Sequence, residues 1–383
     1  MSPTLPTSPP AGAPPRLMLI DAFKAVASQF IVLHHLAFYG PMSDFTHRIA
    51  PGLVAWFSQD ARLAVQVFLV VAGFLAARSL APAGVLATAE APSRLLWQRY
   101  VRIALPYLAA LLVAVVCTEL ARQWMAHDSL PDAPGFWQFV WHALLLHTLM
   151  DVDSLSAGVW YVAIDFQLYA LLLVLLWATR GVRGPWAQVL VAVVVLASLF
   201  HFNRDAGWDS WALYFFGAYG MGVLTGWATR DASAWRRGRW PMAALLALVF
   251  LALALDFRVR IALAMVVCVV LAAAQLHGWI HTWPRGRAVA YFGRISYSVF
   301  LLNFPVALVV NALFTRYGSA EPGVQTLGVV LAWVACNVAG AIFHHAVEQP
   351  LGRLFRDRRE GPTPGVSVPA PAPAPVPPGS SIP

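Results

Sequence analysis

The chain has 383 residues, 59% of them hydrophobic and 11% charged, with a formal net charge of +8. A soluble domain carries about 25% charged residues, so this composition excludes one and calls for a polytopic membrane protein. No basic stripe with interleaved aromatics is present, which removes DNA and RNA as partners and leaves loop placement and anionic lipid to account for the positive balance.

Residues 1–15, rich in Pro and Ala and without a basic n-region, read as a disordered cytoplasmic lead rather than a signal peptide. From there on, apolar runs of the length needed to cross a hydrocarbon core about 30 Å thick recur along the chain. They lie near 17–38, 62–80, 103–122, 160–178, 186–202, 211–228, 240–256, 259–277, 295–314 and 324–347. The predicted fold class is therefore all-α, a polytopic integral membrane bundle of about ten transmembrane helices. An eleventh apolar piece, "FWQFVWHALLLHTLM" at 136–150, is short and contains His142 and His147, so it is expected to be re-entrant or interfacial. The tail, 357–383, is a Pro/Ala-rich segment expected to be disordered and partly polyproline II, which makes 16–356 the membrane domain.

If the short piece does not cross and the N-terminus is inside, 19 of the 26 basic residues fall on the cytoplasmic side. The positive-inside rule then predicts that both termini are cytoplasmic. Cys117, Cys268 and Cys336 stand alone within apolar spans and read as packing residues. His344 and His345 are adjacent rather than four apart, so no metal site is expected.

The first span, "LIDAFKAVASQFIVLHH" from Leu19 to His35, carries an aspartate, a lysine and two histidines in an otherwise apolar stretch. At about 100° per residue, His35 lies within roughly 20° of Lys24 and about 16 Å further along the axis, and Asp21 lies within about 60° of Lys24. His34 points well away, so one polar stripe joins Asp21, Lys24 and His35. Ionisable groups inside a span are costly and mark functional sites, and a neutral imidazole suits proton transfer near neutrality. The plainer reading makes Asp21 and Lys24 snorkelling residues near the inner interface and His35 a cap at the outer end. Lys24 is the single lysine beside 25 arginines.

Further segments carry a family resemblance. "VFLVVAGFLAARSL" (67–80) is similar to an FFxxSGFL pattern, with Ala72 in place of serine and Gly73 kept; "QRYVRIALPY" (98–107) is similar to RRxxRIxPxY; and "GVWYVAIDFQLYALLL" (158–173) is similar to WxLxxExQFY, with Asp165 in place of glutamate. "ISYSVFLLNFP" (295–305) is similar to ISYSIYLLHxP with Asn303 replacing histidine, and "VEQP" (347–350) is similar to a closing ErP. Together with Asp21, Lys24 and His35, these stretches resemble acyltransferase family 3, in which arginine is usual at position 24.

The resemblance implies transfer of an acyl group, commonly acetyl from acetyl-CoA, to a hydroxyl of a cell-envelope glycan or lipid-linked saccharide, in a bacterial inner membrane. It assigns His35 as general base or transient nucleophile, with Lys24 and Asp21 in supporting catalytic roles. Arg94, Arg99 and Arg102, at the start of the third span, would take the phosphates of acyl-CoA, helped by the helix N-terminus. Trp160, Tyr161, Asp165 and Tyr169, expected near the outer end of the fourth span, would contact the sugar. Membrane lipid and polysaccharide-assembly proteins are the other implied partners, and no metal cofactor is implied. A saccharide transporter or flippase, or a non-catalytic membrane subunit of an assembly machine, is the rival reading; no internal repeat supports the first of these.

Overall fold

The computed structural model describes residues 16–357, which fold into helices joined by turns, with no strand among the described residues. In chain order the helices are α1 (Met18–Phe38), α2 (Pro41–His47), α3 (Pro51–Gln59), α4 (Val65–Leu80), α5 (Pro92–Arg122), α6 (Phe136–Ala143) and α7 (Trp160–Ala178). There follow α8 (Trp186–Phe200), α9 (Ala212–Ala228), α10 (Ala232–Leu255), α11 (Val259–Leu276), α12 (Arg287–Tyr317), α13 (Pro322–Phe343) and α14 (Gln349–Asp357). The expected lead, 1–15, and the expected tail apart from Asp357, which ends α14, lie outside the described residues.

Among the described residues nine helical stretches are long and apolar enough to cross a membrane. The tenth expected span is α9, whose 17 residues amount to about 26 Å of helix. It is the central helix, with every residue from Tyr214 to Trp227 buried. A helix enclosed by α4, α7, α8, α10 and α11 meets other helices rather than lipid, so its length is not set by the hydrocarbon thickness. The piece at 136–150 forms only the eight-residue α6, about 12 Å long, followed by turns in which Leu145 and Asp151 take positive φ; it does not cross. His142 and His147 are both fully buried there, with their rings stacked at 4.1 Å.

Three helices start well before their apolar runs. α5 begins at Pro92 against an expected 103, α10 at Ala232 against an expected 240, and α12 at Arg287 against an expected 295. Their opening turns carry arginine and polar residues, which a hydropathy reading discards although they are good helix formers. Pro92 opens α5 at a position where its missing N–H costs nothing.

Close packing rests on small residues. Gly73 of α4 lies against the backbone at Tyr219 and Val223 of α9, and Gly222 of α9 lies against the backbone at Val70 and Phe74 of α4. Each would drive a Cβ into the partner's main chain, so this reciprocal pair sets how closely the two helices approach. Gly293 does the same for α12 against the Asp21 backbone of α1. These contacts bring α1, α4, α5, α7, α9 and α12 around one interior in which the polar residues collect.

Candidate active site

His35 lies one turn from the C-terminal end of α1, and its ring turns into the bundle, 5% exposed. Its Nδ1 is hydrogen-bonded to Oδ1 of Asn303 on α12. Asn303 is itself fully buried, and its Nδ2 donates to the carbonyls of Phe300 at 2.7 Å and Val299 at 3.3 Å. Tyr39 and Phe304 approach the imidazole edge-on, with centroid separations of 5.6 and 6.3 Å. Gly158, two residues before α7, closes the remaining side with φ +82°. His34 bonds to the Phe57 carbonyl at 3.2 Å, away from this group, as the helical wheel predicts.

Because the loop before α7 reaches His35, α7 begins inside the bundle. Seven residues below Gly158, about 10 Å along the chain axis, Asp165 is therefore buried. The sequence places it near the outer end beside a sugar site; in the structure it forms an ion pair with Arg99 of α5. Arg99 also lies over the face of Tyr169 at 5.2 Å, while its Nε is buried without a hydrogen-bond partner. Arg99 thus meets Asp165 and Tyr169, residues that the sequence assigns to a different substrate. Tyr161 packs on Phe300 and Phe68, and Trp160 stacks on Phe215 at 5.5 Å.

Lys24 is half-buried on the same face of α1 as His35, within electrostatic reach of Asp21, Glu348 and the α5 arginines Arg99 and Arg102. Asp21 bonds elsewhere: it accepts from Arg16 Nε at 2.5 Å, and Arg16 in turn donates to the Ala290 carbonyl of α12 at 2.8 Å. Through Arg16, Asp21 ties the start of α1 to α12. Arg94 pairs with Glu90 at 3.7 Å, its side chain 67% accessible.

Two further residues, Asn303 and Glu348, are not singled out by the sequence as part of the site. Asn303 enters it only as the residue replacing histidine in "ISYSVFLLNFP", the one signal for its place on the face of α12 that meets α1. Glu348 accepts from Ser298 Oγ at 2.5 Å and bonds to His344 Nδ1 at 2.9 Å. A turn of π-helix, His344–Glu348, brings His344 and Glu348 into register; such bulges recur at functional sites.

The family profile described as an acyltransferase domain matches residues 19–344. The chain belongs to acyltransferase family 3. This acyltransferase-family chain is also 24% identical over 208 residues to the Regulator of hypoxia-inducible factor 1 of Caenorhabditis elegans, a match covering 48% of the chain and 39% of that protein. The family member described here therefore spans well under half the length of that relative. No solved structure matches it.

Proposed function

We propose that this membrane acyltransferase-family protein moves an acyl group, acetyl in the first instance, from acyl-CoA on the cytoplasmic side to a hydroxyl of a cell-envelope glycan or lipid-linked saccharide. The observation that carries the reading is the buried imidazole of His35, held by Asn303 and facing Gly158. It stands about 16 Å along one face of α1 from Lys24, which lies within electrostatic reach of Arg99 and Arg102 of α5. A base sits at one level and anion-binding groups at the level below.

In this scheme the acceptor hydroxyl gives its proton to His35 as its oxygen bonds to the thioester carbonyl carbon. The C–S bond breaks, and the imidazolium returns the proton to the departing sulfur, leaving CoA as the thiol. Arg102 and Lys24 take the CoA phosphates, with Arg99 of α5 beside them. Asp165 fixes the Arg99 guanidinium rather than binding sugar. Tyr161 and Trp160, near the level of His35, remain suited to stacking on a saccharide. The catalytic unit is residues 16–356, in the bacterial inner membrane with both ends of that unit cytoplasmic.

The test is acyl analysis of the envelope glycan from source cells carrying His35→Ala or Lys24→Arg, with membrane protein levels checked. His35→Ala is expected to leave the protein in the membrane and abolish the modification, and Lys24→Arg to retain part of it. Normal acylation with His35→Ala removes the assignment.

A further inference from the structure

The orientation of the Asn303 amide can be deduced without reference to the histidine. Its Nδ2 lies 2.7 and 3.3 Å from the carbonyl oxygens of Phe300 and Val299 on its own helix, and a carbonyl can only accept. The NH2 end must face those two oxygens, so the end turned to His35 is Oδ1, which also only accepts. Two acceptors cannot share a hydrogen bond. Nδ1 of His35 therefore carries a proton and donates it to Oδ1.

In a neutral ring the second nitrogen, Nε2, is then left with its lone pair. The position facing that edge of the ring is Gly158, where a Cβ would come within 3.1 Å of Cε1 and 3.6 Å of Nε2. A positive φ and a tight neighbour coincide at this position, so glycine is required there on two counts. The backbone of Asn303 is tied as well, its carbonyl lying 3.2 Å from Cys336 Sγ of α13.

We propose that Asn303 is a positioning residue that holds His35 in the Nδ1–H tautomer and aims Nε2 at the space beside Gly158, making Nε2 the atom that exchanges the proton. This rests on the acyl-transfer reading and adds to it the identity of the reacting nitrogen and the group that selects it. The logic is that of a carboxylate or amide orienting a catalytic imidazole through one nitrogen so that the other is presented.

The experiment uses inside-out membrane vesicles of the source cells, with acetyl-labelled acetyl-CoA as probe and label transferred to extracted envelope material as readout. Asn303→Leu is expected to lower kcat about 100-fold, the scale of a misdirected general base, with KM for acetyl-CoA within twofold of wild type. Asn303→Asp, which keeps an oxygen able to accept from Nδ1–H in either protonation state, is expected to recover at least a tenth of the wild-type rate. In parallel, ring-15N-histidine protein in lipid nanodiscs is compared with His35→Ala, so that the difference spectrum isolates His35. A protonated Nδ1 and a bare Nε2 support the proposal. An Nε2–H signal overturns it, as does an Asn303→Leu enzyme with unchanged kcat. If Asn303→Leu does not accumulate, the wild-type difference spectrum alone decides between these outcomes. Absence of label transfer in wild-type vesicles sinks the acyl-transfer reading, activity surviving in His35→Ala removes His35 as the base, and the spectrum still reports the tautomer independently.

Discussion

Replacing Asp165 with Asn leaves the guanidinium of Arg99 inside the bundle without its counter-charge. The two side chains are 11% and 26% exposed, so the pair is largely but not wholly removed from solvent. At about 4 Å between charge centres and an effective dielectric near 20, the lost attraction is about 4 kcal/mol. Because Arg99 keeps some solvent and the Tyr169 ring face, part of that loss is screened. The expected cost is about 3 kcal/mol, the low end for breaking a buried pair. Arg99→Gln alone leaves the carboxylate stranded and costs a similar amount. The double variant, with two neutral amides of similar volume, is expected to cost about 1 kcal/mol. Reversible unfolding in mixed lipid–detergent micelles, run as a double-mutant cycle, measures the coupling, expected to be at least about 2 kcal/mol in favour of the pair. Single costs below about 0.5 kcal/mol that simply add would refute the reasoning, since they would mean that Arg99 and Asp165 are hydrated independently.

Gly158→Ala places a methyl group against the His35 ring at a backbone φ of +82° and is expected to reduce label transfer at least tenfold while protein accumulates normally; activity near wild type would show that the space beside His35 is not used. Gly222→Val drives side-chain atoms into the α4 backbone and is expected to destabilise the bundle by more than about 2 kcal/mol, seen as loss of folded protein on size exclusion, whereas Gly52→Ala, with open space around it, is expected to change nothing. Lys24→Ala removes one cation from the group with Arg99 and Arg102 and is expected to raise KM for acetyl-CoA about tenfold with a weaker dependence on salt, while Lys24→Arg stays within a few-fold. An unchanged KM in Lys24→Ala would place the CoA phosphates elsewhere.

What the sequence determined by itself follows from solvent. Apolar runs of bilayer length cannot fold otherwise than as helices, since every backbone N–H and C=O must be satisfied within the segment, and so the all-α membrane fold and the helix positions are legible from composition and length. The stripe of Asp21, Lys24 and His35 is legible for the same local reason, because helical periodicity alone puts Lys24 and His35 on one face. Only the tertiary structure decided the partners. Asn303 lies 268 residues from His35, and Arg99 lies 66 residues from Asp165. No local rule relates the heights of two helices, and it is the loop setting Gly158 against His35 that puts Asp165 at the level of Arg99.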